Sequence, residues 1–323
     1  MAIDTLGADT AACELVHGAL DFAEQSENTR LVFIGTEHEL RPLRGSRHKT
    51  VITDEWISQS DSLFKALRGK TRPSMRIGLE LMRGGSADAL VSTGNTGALM
   101  SLSRSLLSML PGIRRPAVIK EFQGKELRFW MLDLGANLAR EAKSLLDNAL
   151  LGTAYAEGAG GISKPRVALL NIGAESQKGP KTVQMAASLM EQDDRVHFVG
   201  FVEADRIFDG LADVVVTDGF SGNVALKAME GAVEMARFLL RKEADRSLAA
   251  TARPSVERLL GAYNPQAYNG ASFVGLDGVV VKSHGDTDRI GFAQAVQQAE
   301  HEVASQVPAR VRGSFRDLAC GVR

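Results

Sequence analysis

The chain has 323 residues, 44% of them hydrophobic, and a formal net charge of −1. That is enough apolar material to bury a core in one large or two smaller domains, and the balanced charge excludes a global basic field for nucleic acid. Cys13 and Cys320 stand near opposite ends without a CxxC or CxxH neighbour, so neither a disulfide framework nor a metal site is expected.

Met1-Ala2-Ile3-Asp4 lacks the basic and apolar regions of a signal peptide, and no run approaches the roughly 18 apolar residues that span a bilayer. A cytoplasmic chain is predicted. A first strand closing at Asp4 is short, which suggests a clipped start or a weak edge strand. Apolar positions three and four apart predict a helix over 12–24, and a strand follows at 31–34. Next come a helix over 74–83, a strand at 89–92, a helix over 97–109, a strand at 128–132 and a helix over 141–156. GAGGISKP, residues 158–165, carries three glycines and a proline; it either divides two lobes or is a loop within one continuous sheet. Beyond it, strands at 167–171, 196–199, 214–216 and 279–282 alternate with helices over 181–191, 223–243 and 289–306. Alternation of this kind predicts an α/β fold, a mainly parallel sheet with helices on both faces.

Several strands end abruptly in glycine plus an amide, a cation or histidine. Val214-Val215-Val216 runs into Asp218, Gly222 and Asn223; Ala89 to Ser92 into Asn95, Thr96 and Gly97; Met131-Leu132-Asp133 into Gly135 and Asn137. Leu169-Leu170-Asn171 leads to Glu175 and Lys178, and Val279-Val280-Val281 to Lys282 and His284. If the strands are parallel, these corners share one sheet edge and converge on a cleft. Glycine permits close backbone approach, asparagine and free N–H groups donate, and lysine balances charge, so the corners suit an oxyanion, with phosphate favoured. No phosphate-loop or dinucleotide GxGxxG pattern is present, and no cofactor is expected. GFSGN is not a nucleophile elbow, and Cys13, on a helical stretch with no evident base, reads as structural. Each residue also has a plain reading. Asp218 is a ligand or a helix cap, His284 a proton carrier or a satisfied histidine, and Lys227 a solvated or structural cation.

Six stretches in order, STGNTGALM (92–100), LDLGAN (132–137), VALLNIG with Glu175 and Lys178-Gly179, DVVVTDGFSGNVALK (213–227), YNGASFVGL (268–276) and VVKSHG (280–285), resemble the PlsX-type phosphate acyltransferases. The likeness spans nearly the whole chain. It departs at Leu6-Gly7-Ala8-Asp9, at Ala12, at Lys120-Glu121-Phe122 and at Ala139. The resemblance implies a Rossmann-like α/β/α sandwich akin to isocitrate dehydrogenases and phosphate acetyltransferases. It also implies a homodimer, transfer of acyl groups from acyl carrier protein to inorganic phosphate, peripheral contact with membrane, and delivery to a downstream membrane acyltransferase. On that pattern Lys178, Asn223 and His284 are catalytic, and Asp9, Asn95, Thr96, Asn137, Glu175, Asp218, Gly222, Asn269 and Lys282 bind phosphate or substrate. A coenzyme A-dependent phosphate acetyl- or butyryltransferase and a non-catalytic membrane scaffold are the competing readings.

Residues 237–258 hold six basic against three acidic residues, with Phe238, Leu239, Leu240 and Leu248 among them. Helices over 237–262, with Arg237, Arg241, Lys242 and Arg246, are therefore either a docking surface for acidic carrier protein or anionic lipid, or a solvated face.

Overall fold

Runs such as Val214–Val216 and Val279–Lys282 become buried strands because β-branched side chains pack well on a pleated surface. The computed structural model describes residues 1–26, 29–61, 71–138, 141–247 and 269–320. Among them the strands are β1 (Ala2–Asp4), β2 (Val32–Gly35), β3 (Lys49–Ile52), β4 (Ala89–Ser92), β5 (Ala117–Gln123), β6 (Arg128–Leu132), β7 (Arg166–Leu170), β8 (His197–Val202), β9 (Val214–Val216), β10 (Ala271–Val274) and β11 (Val279–Lys282). The helices are α1 (Ala12–Gln25), α2 (Glu37–Leu40), α3 (Ser74–Arg83), α4 (Thr96–Leu106), α5 (Ala142–Gly158), α6 (Lys181–Glu191), α7 (Gly219–Ser247), α8 (Arg289–Ala304) and α9 (Val307–Cys320).

All eleven strands form one sheet in the order β3-β2-β1-β4-β11-β10-β5-β6-β9-β7-β8. β1 is inner, not an edge strand: it pairs with both β2 and β4, and each of its residues is buried. β3, β2, β1, β4 and β11 are mutually parallel, as are β6, β9, β7 and β8. Between these blocks, β10 and β5 reverse direction, pairing antiparallel on both sides. Three reversals leave the blocks pointing opposite ways. The α/β, mainly parallel fold stands, but the expectation that every glycine–asparagine corner shares one edge is corrected. The corners after β4 and β11 leave the sheet in one direction and those after β6, β7 and β9 in the other, but the register keeps Lys282 level with Met131 through Ala271 and Lys120, so corners of both blocks can meet across the antiparallel seam.

Period-two alternation puts Val118 with Lys120, Phe273 with Ala271, and Val280 with Lys282 on one face. α3, α4 and the Leu226 side of α7 cover that face through Ile77, Leu99 and their neighbours. α1 and α8 pack the opposite face around Phe292, while α5, α6 and α9 pack it around Trp130 and Leu151. The sheet is thus sandwiched between helical layers. Cys13 departs from its expected structural role, because it is exposed on α1.

Candidate active site

At the seam where the two parallel blocks meet, α4 and α7 stand apart and leave a cleft of about 440 Å³. β5, β10 and β11 form its floor. Thr96 and Gly97 open α4 into it, and a helix's first N–H groups have no intrahelical partner, so this end favours an anion. Asn223 and Lys227 enter from α7, Lys120 from β5, and Lys282 and His284 from the end of β11. Met100, Val118, Leu134 and Leu226 supply apolar wall. Of the residues singled out in the sequence, Thr96, Asn223, Lys282 and His284 come together here.

The other corner residues hold the loops. Asn95 caps α4, its Oδ1 accepting from the Ala98 N–H at 3.0 Å while its Nδ2 donates to Gln59 O. Asp218 caps α7 by accepting from the Phe220 and Ser221 N–H groups at 3.1 and 2.9 Å, which occupies that helix terminus. A Cβ on Gly222 would stand 2.0 Å from Asp133 O, so glycine is needed for α7 to approach the β6 corner. Asn137 donates to Pro116 O at 2.7 Å and to Asp133. Asp133 also accepts from the N–H groups of Val118, Gly135, Ala136 and Asn137, organising the whole LDLGAN loop. Asn269 is buried with its amide nitrogen 2.7 Å from Ser283 Oγ and 2.8 Å from Thr287 Oγ1, while its Oδ1 accepts from the His284 N–H. It therefore positions the histidine. Asp9 is exposed, and its N–H donates to Gly285 O beside that loop.

Lys178 and Glu175 do not line the cleft. They pair with each other at 2.8 Å in the exposed corner after β7.

Lys120, Lys227 and Glu230 complete the site. Lys227 Nζ donates to Glu230 Oε2 at 2.9 Å. His284 Nε2 stands 3.3 Å and Lys120 Nζ 3.7 Å from Oε1 of the same carboxylate. Burial would raise the Glu230 carboxyl, but His284, Lys227 and Lys120 outweigh it and hold it at about 2. Burial also pushes Lys120 down, partly offset by Glu230. Lys282 is pushed down to about 8, by burial first and then by the like charge of Lys227. Its Nζ donates to Thr93 O at 3.1 Å and to Ser283 O.

Cations, helix-end donors and apolar wall come together in one cleft, a combination with room for a negative group beside an apolar one. The architecture matches that of the phosphotransacylases. A phosphotransacetylase from Streptococcus pyogenes aligns with a TM-score of 0.59 at 18% identity, covering 95% of this chain and 94% of that one. A branched-chain phosphotransacylase from Enterococcus faecalis V583 aligns at 0.57 and 16% identity, covering 94% and 98%. Sequence likeness narrows the class further. The model of a family described as "Fatty acid synthesis protein" matches residues 1–310. Proteins named phosphate acyltransferase from Pseudomonas paraeruginosa and Marinobacter nauticus are 41% and 40% identical, over 98% of this chain and 98% and 96% of theirs. The chain belongs to this phosphate acyltransferase family.

Proposed function

We propose that the chain transfers a long-chain acyl group from an acyl carrier protein thioester to inorganic phosphate, yielding acyl phosphate and free carrier thiol for bacterial phospholipid synthesis. The carrying observation is the joint presence of Lys120, Lys227, Lys282, His284 and the start of α4 with the apolar wall of Met100, Leu134 and Leu226 in one cleft. A phosphate oxygen attacks the thioester carbonyl, a C–O bond forms, and collapse of the tetrahedral oxyanion breaks the C–S bond. A thiol of pKa about 8.5 leaves without much protonation, so catalysis rests on holding two anionic partners in contact. Lys282 and the α4 terminus receive phosphate, Asn223 donates to phosphate or the oxyanion, and His284 carries the proton. Lys178, in the exposed β7 corner, serves the carrier-borne side of the substrate.

Incubating the protein with long-chain acyl carrier protein, with and without phosphate, and trapping acyl phosphate with hydroxylamine tests this reading. Phosphate-dependent product is expected, and Asn223→Ala should lower its rate about a hundredfold, as loss of a preorganised donor does. Product from short acyl-coenzyme A but not from the carrier would replace this reading with the coenzyme A reaction. No phosphate-dependent product from either would leave only the scaffold.

The far end of α7 supports docking. Phe238, Leu239 and Leu240 are about half exposed beside the exposed Arg241 and Lys242, with Arg237 partly buried. A basic amphipathic end suits acidic carrier protein and anionic lipid, which fits a cytoplasmic protein in peripheral membrane contact that passes its product to a membrane acyltransferase. No helix among the described residues is long and apolar enough to cross a membrane. Leu248 and the rest of 248–262, like the Arg246 side chain and Ala139, lie outside what is described. Phe220, Val224 and Met235, also exposed along α7, suit contact with a second copy of the chain. Charge reversal at Arg241 and Lys242 should reduce co-sedimentation with anionic vesicles, most at low salt; unchanged sedimentation would remove the membrane role.

A further inference from the structure

The cleft lining holds four lysine and arginine side chains, Arg104, Lys120, Lys227 and Lys282, together with His284, and no carboxylate among the described residues. Directly beside them lies Glu230. Asn223, Lys227 and Glu230 are spaced four and three apart on α7, which puts all three on one helix face. Lys120 rises from β5 and His284 from the β11 corner, so three separate elements bring basic side chains to a single carboxylate.

The two oxygens of this partly buried carboxylate are held unequally. Oε1 is shielded from solvent yet makes no well-formed hydrogen bond among the described residues, facing His284 and Lys120 at 3.3 and 3.7 Å. Lys227, which holds Oε2 at 2.9 Å, is 61% exposed and already lines the cleft. An ion pair taken out of water needs good geometry and satisfied lone pairs to offset desolvation, and the Oε1 side of this carboxylate, unlike Oε2 with Lys227, lacks both. A phosphate dianion would bring more charge and more acceptor oxygens to the same cations.

We infer that Glu230 is the resident counter-ion of the phosphate site: its carboxylate occupies the cations that inorganic phosphate takes over, and phosphate binds by exchanging with it. Glu230 partly compensates Lys120 and Lys227 while the site is empty, and its like charge opposes the dianion. This rests on the reading that the cleft receives phosphate.

The test is calorimetric titration of the full chain with inorganic phosphate. Glu230→Gln should bind phosphate about tenfold more tightly than wild type, because an opposing charge is removed. The KM for phosphate should fall in parallel. A merely structural role predicts the reverse, since a disordered site binds less well. If Glu230→Gln folds only in the presence of phosphate, the exchange is supported. Glu230→Asp, with its carboxylate withdrawn by one methylene, should show a smaller gain. Equal or weaker phosphate binding in a cooperatively folded variant overturns the inference, as does failure of both variants to fold even with phosphate. Wild-type acyl phosphate formation is measured alongside. Its absence would remove the acyl-transfer reading while tighter phosphate binding by Glu230→Gln still stood, and the opposite pattern would remove only the exchange.

Discussion

Two lysine–glutamate pairs differ sharply in this molecule. Lys178 and Glu175 meet at 2.8 Å with both side chains 51% exposed, whereas Lys120 and Glu230 stand 3.7 Å apart with 6% and 22% exposed. The shorter pair is the weaker influence, because water and salt screen an exposed contact and side-chain ordering offsets the rest. The ionisations separate in the same sense. Glu175 pushes Lys178 up, while burial pushes Lys120 down against the pull of Glu230. Burial, more than distance, decides which lysine carries chemical consequence. A cation removed from water and under-compensated is poised to take a substrate anion; a solvated ion pair is already content.

The largest expected contrast follows directly. Lys120→Ala should raise the KM for phosphate about a hundredfold, the usual cost of removing a preorganised charge from a site. Lys178→Ala should leave that KM within about threefold, since its contact is screened, and should act on the KM for acyl carrier protein instead. Steady-state kinetics with each substrate varied in turn separates the two. An equal effect of both substitutions on phosphate would break the comparison and bring the β7 corner into the phosphate site.

The buried half of this contrast was the half hardest to read from sequence. Most elements were legible, because their hydrophobic periods are strong; the helices over 74–83 and 181–191 match α3 and α6 to the residue. β5 was not, since Lys120 and Glu121 interrupt its apolar run, and its charged centre makes sense only once one face is the floor of a cleft. With β5 and β10 unseen, the antiparallel seam was invisible too, as strand direction depends on non-local pairing. Thr96, Asn223, Lys282 and His284 were legible as glycine-bounded strand ends. Asn95, Asn137, Asp218 and Asn269 carried the same signal but bond to backbone or neighbouring side chains, because a cap and a ligand donor use the same chemistry; Asn223 also gives one N–H to Leu134 O at 3.1 Å, yet it stands in the cleft lining. Lys227 and Glu230 were spaced on one helix face for anyone to see, yet charge on a helix face ordinarily means solvent.

A smaller effect sharpens the comparison by pH. Lys282 is the cleft lysine whose ammonium, tucked against Thr93 O and Ser283 O, is pushed down to about 8 by burial and by Lys227, with Asp286, Asp9 and Asp4 pulling back. Lys178 moves the other way, so raising pH through 8 discharges Lys282 while Lys178 stays charged. Phosphate affinity should therefore fall above pH 8, by up to about tenfold per unit, although inorganic phosphate is by then almost wholly dianionic and adds little of its own. Stability should run in the opposite direction. The unfolded lysine binds its proton up to the ordinary 10.5 and the folded one only to about 8, so the unfolded state holds more protons between those values and the Lys282 contribution to stability rises with pH across that window. Weakening of phosphate binding there cannot be ascribed to unfolding through this group. Lys282→Arg keeps its charge throughout, so its KM for phosphate should stay flat from pH 8 to 9.5 while wild type rises. If the wild-type break persists unchanged in Lys282→Arg, another group controls it, and the division of labour between a dischargeable cleft and a permanently charged corner does not rest on Lys282.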